Sequence, residues 1–387
     1  MFERENFLKR HKLDFKLIRE IDKTLLISII LLVLFGILNI YLCTKAGVGN
    51  ITDPYYFVKK QITWFIISIV AMYILVSIDY SIIFQYVPIL YWFSIILLVC
   101  VWIPKVGKTI NGARGWIKLG ISIQPAELAK FALILMVAKL IHEMDGEIND
   151  VKNFFKIVFY AIIPVGLIAI QPDMGMTMVC FFIVLGIVAA AGFNRKIIAG
   201  GLIALAIGIV IIINSGLLPS YQITRFTAFL DPEKENSDAG YQLNQALIGI
   251  GSGGILGSQP SLEADGTIGY AASNVPEIQT DFIFTAIAEQ CGLIGALVVI
   301  VLYSIIIFRM VKIARKAKDL FGSLVVLGMV SYLLFAITEN IGMNIGLMPI
   351  TGITLPMVSY GGSSLLTTLM AMALVLNIGM RKKKIHF

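Results

Sequence analysis

The sequence predicts an all-α, polytopic membrane protein, and three observations carry that prediction. Hydrophobic residues make up 58% of the chain and charged residues only 14%, against roughly half and a quarter in soluble domains. The apolar residues gather in runs long enough to cross a bilayer, which takes about 20 residues of helix. Lys and Arg concentrate in alternate connections between those runs. A mean hydropathy of +0.87 agrees.

Ten runs qualify: 24–44, 60–78, 84–103, 122–142, 154–171, 174–193, 197–214, 281–308, 320–341 and 363–380. The first follows a basic segment without a small-residue cleavage site, so it reads as a span and not a cleaved leader. The fifth and sixth are separated only by the tight return "QPDMG". An even number of spans puts both termini on one side. With those termini in the cytoplasm, 21 of the 31 Lys and Arg fall on the cytoplasmic side and 9 on the other, Lys130 lying within a span. The positive-inside rule selects that orientation. The loop "RMVKIARKAKD" and the tail weigh most. The expected organisation is a cytoplasmic segment 1–23, a ten-span domain 24–380 and a basic tail 381–387. One large extracytoplasmic loop, about 214–280, joins spans seven and eight.

These features exclude several function classes. The net charge of +7 follows from cytoplasmic loop residues, so no nucleic-acid partner is expected. The extracytoplasmic side holds no ATP, and no GxxxxGK[ST] motif occurs. Cys43, Cys100, Cys180 and Cys291 lie in or beside apolar spans without a CxxC pair and read as small core residues. His11, His142 and His386 lie near cytoplasmic ends. Chemistry on the opposite face must therefore proceed without histidine, which argues against a Ser-His protease or a His-ligated zinc there.

Several strings could carry chemistry. In the large loop, "DPEKENSDAG" signals turns, a helix-like patch covers 241–250, and "GIGSGGILG" follows. Gly249, Gly251 and Gly254 fit GxGxxG, but no strand precedes them, and a flexible or close-packed turn is the better reading. "QPAELAK" sets Glu127 and Lys130 on one helix face, as a buried pair that aids packing or as the charged wall of a water-filled cavity. Arg114 and Lys118 in "NGARGWIKLG" are headgroup anchors or ligands. Asp173 caps a helix or serves the site. Arg225 and Asp231 in "RFTAFLDP" form a solvated pair or contribute to the site. "VPEIQTDFIF" is the strongest string. It holds Glu277, and its Asp281 either caps the eighth span or acts as a general base whose pKa partial desolvation raises. Glu289 lies two turns deeper, and Glu339 and Asn340 sit near the same end of the ninth span. "LPMVSYGGSSLL" is not GxSxG, and its small residues suit close helix approach.

Together these strings resemble the SEDS family (shape, elongation, division and sporulation), which includes RodA, FtsW and SpoVE. "NGARGWIKLG", "QPAELAK", "QPDMG", "RFTAFLDP", "IGSGGILG", "VPEIQTDFIF" and "ENIGMNIGLMPITGITLPMVSYGGSSL" occur in family order from Asp22 onward. The "ENIGM" run and the length look more like RodA than FtsW. The resemblance implies a peptidoglycan glycosyltransferase that polymerises lipid II at the outer face of the cytoplasmic membrane. It also implies a class B penicillin-binding protein as partner, docking near spans eight and nine. Asp281 matches the family's essential carboxylate, and Glu127, Lys130 and Asp173 match further motif positions. Gln279, Ala126, Met176 and Thr354 depart from the family's usual His, Ser, Thr and Pro. In such a reaction Lys130, Arg114, Arg225 or a divalent cation, Mg²⁺ or Mn²⁺, would stabilise the departing diphosphate. No organic cofactor is expected. The rival readings are a lipid II flippase and a noncatalytic scaffold.

Overall fold

The computed structural model describes residues 19–45, 51, 53–110, 112–119, 121–196, 198–203, 207, 225, 229, 238–258 and 269–381. Helices dominate, in the order α1 (Lys23–Thr44), α2 (Tyr56–Ser77), α3 (Tyr80–Cys100), α4 (Pro125–Glu143), α5 (Val151–Ile170), α6 (Met174–Ala190), α7 (Asp238–Gly253), α8 (Tyr270–Asn274), α9 (Ile283–Arg315), α10 (Leu320–Asn344) and α11 (Gly362–Met380). Seven of them, α1, α2, α3, α5, α9, α10 and α11, are long and apolar enough to cross a membrane. Two further expected spans are present as the charge-bearing α4 and the shorter apolar α6. Most of the seventh expected span lies outside the described residues, with 198–203 and 207 helical.

The purely helical expectation needs one correction. Residues 107–123 form a small antiparallel meander, β1 (Gly107–Ile110), β2 (Ala113–Leu119) and β3 (Ile121–Ile123). The fourth span therefore begins at Pro125 and not at 122, because 121–123 is strand. Pro at the first helical position needs no hydrogen-bond partner for its nitrogen, which fixes that start.

Scarce acidic residues begin many of these helices. Asp22, Asp79, Asp150, Asp173 and Asp319 each accept a first-turn backbone N–H, at 2.8–3.3 Å. A carboxylate there satisfies orphan donors and meets the positive end of the helix dipole. α4 is the centre of the bundle, with residues from Pro125 to Ile141 almost all buried. It packs on α3, α5, α6, α10 and α11. α1 packs on α9, α9 on α10, and α2 on α11.

The basic ends meet at one end of the bundle. Arg309 of α9 forms a two-pronged ion pair with Asp22 before α1. Arg381 after α11 reaches Asp79 at 3.2 Å, and the Tyr80 hydroxyl donates to Asp319 at 2.7 Å.

α9 is broken at Gly292, whose φ of 65° and ψ of −164° lie outside the range of other residues. The break frees backbone groups, and the turn after α7 takes them up. Leu293 N–H donates to Gly254 O at 3.0 Å, Ile294 N–H to Ile255 O at 3.3 Å, and Ser258 N–H to Glu289 O at 2.9 Å. A Cβ at Gly292 would overlap Ile255 O and Gly257 N, and one at Gly253 would overlap Ala288 O. The glycine-rich string is thus close-packed at Gly249, Gly253 and Gly257, while Gly251 and Gly254 face open space. Gly292→Ala is expected to destabilise by at least about 1–3 kcal/mol from backbone strain alone. An unchanged unfolding midpoint of the detergent-purified variant would contradict that packing.

Candidate functional site

A cavity of about 630 Å³ opens at the end of the bundle opposite the basic ends. Among the described residues, five helices begin there. α2 contributes Lys60, Thr63 and Trp64; α4 contributes Gln124 and Glu127; α6 contributes Asp173 and Met174. Thr280 and Asp281 precede α9, and Gly361–Ser364 open α11. Helix N-termini present unpaired N–H groups and partial positive charge, so their convergence favours an anion.

Asp281 stands in the turn ahead of α9. The cap position of that helix is Phe282, and no side chain caps it. The capping reading of Asp281 therefore falls away, and its carboxyl faces the cavity. Its backbone is clamped: Asn340 Nδ2 donates to Asp281 O at 2.9 Å and Asn344 Nδ2 at 3.1 Å. Asn340 Nδ2 also reaches Ile353 O at 2.7 Å, which ties the 349–354 loop to the same point. Thr280 O accepts from Ser359 Oγ at 2.6 Å, and Gln279 O from Tyr360 N–H at 2.8 Å. Gly352, at φ 78°, lies between two charged groups. A Cβ there would stand 3.4 Å from Asp281 Oδ2 and 3.8 Å from Arg225 Nη1. Burial pushes the Asp281 carboxyl up to about 6, neighbouring Glu277 adds to the rise, and the Arg225 guanidinium opposes it.

The cavity also gathers Glu127, Asp173, Glu277 and Arg225. Asp173 accepts Met176 N–H at 3.0 Å and Gln124 Nε2 at 3.0 Å, so it caps α6 and lines the cavity together. Burial raises its pKa against the pull of the Met176 N–H. Glu127 Oε2 accepts Lys130 Nζ at 2.7 Å and Thr367 Oγ1 at 2.9 Å. Both charged side chains are 4% exposed, and Lys130 sits 3.8 Å from the Tyr332 ring centroid, behind the cavity wall.

Three candidates stand elsewhere. Arg114 donates to Trp102 O at 3.2 Å and Lys118 is exposed on β2, so the pair belongs to the meander. Glu289 is buried and accepts Ala271 N–H at 3.0 Å, fastening α8 to α9. Asp231 lies outside the described residues. Sequence reasoning missed Lys60, Trp64, Trp116 and Tyr360. Lys60 Nζ sits 4.2 Å from the Tyr56 ring centroid, which aims a cation at the cavity. Its only signal was a Lys at the start of a span, which elsewhere means a headgroup anchor.

Among the described residues no three His, Cys, Asp or Glu side chains are placed to hold a metal ion.

The model of the cell cycle protein family FtsW/RodA/SpoVE matches residues 22–384. The chain belongs to this family. It is accordingly a multi-pass protein of the bacterial cytoplasmic membrane. Stage V sporulation protein E of Bacillus subtilis is 35% identical over 92% of this chain and 96% of that protein. The probable peptidoglycan glycosyltransferase FtsW of Trichlorobacter lovleyi is 34% identical over 93% of each. A solved structure of a peptidoglycan synthase complex, concerned with coordination of polymerization and crosslinking, aligns with a TM-score of 0.77. It is 29% identical and covers 94% of this chain and 98% of that one. Rod shape determining protein RodA of Thermus thermophilus gives 0.69 at 27% identity, over 94% and 98%. These two sequence relatives carry the names SpoVE and FtsW, and RodA is among the structural ones.

In this family member the Glu127–Lys130 pair, whose Glu127 also lines the cavity, should contribute to stability. Lys130→Ala leaves a buried carboxylate unpaired and is expected to cost about 3–5 kcal/mol. A Glu127→Gln/Lys130→Met double variant should regain most of it. Equal unfolding midpoints for the single and double variants would show that the pair is not coupled.

Proposed function

We propose that the chain is a peptidoglycan glycosyltransferase that polymerises lipid II into β-1,4 glycan strands at the outer face of the cytoplasmic membrane. The observation that carries this reading is Asp281: a half-buried carboxyl with a raised pKa, facing an anion-favouring cavity with Arg225 nearby. The basic ends lie at the opposite end of the bundle, in accord with the positive-inside orientation.

In the proposed reaction the acceptor GlcNAc 4-hydroxyl attacks MurNAc C1 of the donor. Asp281 takes the hydroxyl proton as the new C–O bond forms. The bond from C1 to the diphosphate oxygen breaks, and undecaprenyl diphosphate leaves with that electron pair. Lys60, Arg225 and the helix N-termini stabilise the charge that develops on it. Attack opposite the leaving group turns an α-linked donor into a β-linked product, without a covalent enzyme intermediate.

The structural relative coupling polymerization to crosslinking supports a class B penicillin-binding protein as partner. The "ENIGM" run favours a role in elongation and cell shape, with division or sporulation as alternatives. Depletion in the native host separates them, since loss of shape, of septation or of spores alone reports each role.

Asp281→Asn in purified protein should lower polymerisation of labelled lipid II by about 10²–10⁴-fold. A wild-type rate would end the general-base assignment. Polymer formed in detergent, where no leaflets exist, would separate an enzyme from a lipid II flippase.

The base works only when deprotonated. The wild-type rate should therefore be full well above pH 6, about half-maximal near pH 6 and fall about tenfold per pH unit well below it. A rate that stays flat down to pH 4.5, with the protein still folded, would exclude a titrating base at Asp281.

A further inference from the structure

The loop between the seventh and eighth spans is read from composition as a water-facing segment. Its stretch 239–258 does not behave as one. No residue from 239 to 258 is charged, and after Asp238 the polar side chains of α7 are the neutral Gln242, Asn244, Gln245 and Ser252, whereas a helix lying in water carries a strongly polar or charged face. α7 buries Leu243, Ala246, Gly249 and Gly253 against α8 and α9. The side it turns outward is mostly apolar: Leu247 is 39% exposed, Ile248 50%, Ile255 67% and Leu256 64%, with the small Gly251 and Ser252 exposed between them.

The depth of this patch follows from its hydrogen bonds. Ile255 O accepts from Ile294 N–H and Gly254 O from Leu293 N–H, so the turn lies level with the lower half of α9. The helical run from Leu293 to Arg309 is about 24 Å long. Arg309 marks the basic end through its ion pair with Asp22. Leu293 then falls within a hydrocarbon core of about 30 Å, near its far edge. From there α9 shows an exposed apolar stripe that includes Leu297, Val301 and Phe308. The patch on 247–256 continues that stripe upward. Hydrocarbon tolerates non-helical backbone only where its polar groups are paired within the protein. The turn meets that demand at the Gly253, Gly254 and Ile255 carbonyls and at the Gly257 and Ser258 N–H groups, each of which is hydrogen-bonded within the protein.

We propose that α7 and the 254–258 turn form a re-entrant element seated in the leaflet on the site side, with Leu247, Ile248, Ile255 and Leu256 against lipid acyl chains. The element packs through Gly249 and Gly253 on the short half of α9 that Asp281 precedes. The bilayer itself thereby braces the wall of the cavity.

The test uses the wild-type chain in phosphatidylglycerol–phosphatidylethanolamine liposomes doped with a phospholipid carrying a diazirine in its acyl chain. Photolysis and peptide mapping should place lipid adducts on 247–256 as well as on 293–301. Adducts on 293–301 with none on 247–256 would overturn the proposal. As a second measurement, Leu256→Cys should react with a membrane-impermeant maleimide as slowly as Leu297→Cys and far more slowly than Lys118→Cys. Reaction as fast as at Lys118→Cys would overturn it by showing water at the patch. Fast reaction that a class B penicillin-binding protein suppresses would also overturn it and assign the face to a protein partner.

Discussion

Hydrocarbon offers no partner for a backbone N–H or C=O, and the architecture turns on how this chain meets that demand at one place. α9 cannot break at Gly292 unless another segment pairs the groups the break exposes. The turn at 254–258 does so, and it can approach only because Gly253, Gly257 and Gly292 carry no side chains. The consequence reaches the cavity. Above the break, residues 283–291 form a short helix of their own orientation, and Asp281 stands at its start. An unbroken α9 would carry that carboxyl along the axis of the long span below.

Holding the carboxyl still is the task of a polar network inside an apolar bundle. Asn340 and Asn344, one helical turn apart on α10, share the Asp281 carbonyl. Asn344 Oδ1 also accepts both the N–H and the hydroxyl of Thr285, so the same amide fixes the first turn of the half-helix. On the other side Ser359 and Tyr360 grip Thr280 and Gln279, and Gln61 of α2 grips Ser359 O at 3.1 Å. Each of these bonds adds modestly in net terms, but an unmade one in a buried site costs about 1–3 kcal/mol. The network therefore discriminates against other arrangements more than it adds stability. Three of the five helices that open at the cavity are tied into it.

Much of this was legible in the residues, and the gaps have physical reasons. Long apolar runs fix spans because the bilayer sets their length, so nine of the ten expected runs coincide with described helices, to within several residues. The meander at 107–123 was missed because "NGARGWIKLG" lacks the long alternation that marks strands in a hydrophilic chain. Glu127, Asp173, Glu277, Arg225 and Asp281, each singled out by the string that holds it, line one cavity. Arg114, Lys118 and Glu289 do not, since a polar residue near a span end looks alike whether it anchors, caps or binds. Lys60, Trp64 and Tyr360 were invisible for the complementary reason. Lys and aromatic residues belong at every membrane boundary, and only the packing of α2 on α11 shows that these face inward to a shared cavity. The charge-free stretch 239–258 was readable but was submerged in a loop judged by its flanks.

The electrostatics of the cavity explain why a single carboxyl there suits proton abstraction. A carboxylate at its ordinary pKa is a weak acceptor, and one raised far above neutrality would already be protonated. Withdrawal from water and the charge of Glu277 lift Asp281, while Arg225 limits the rise, leaving it near 6. At neutral pH it is then ionised yet more basic than a solvated aspartate. In the proposed reaction the balance would move in a useful direction. An incoming diphosphate brings negative charge close to the helix N-termini and draws on the field of Arg225. Both effects weaken the restraint on Asp281 and raise its basicity once substrate is in place. The group that binds the leaving anion and the group that tempers the base are the same guanidinium, so binding the donor would itself prepare the proton transfer.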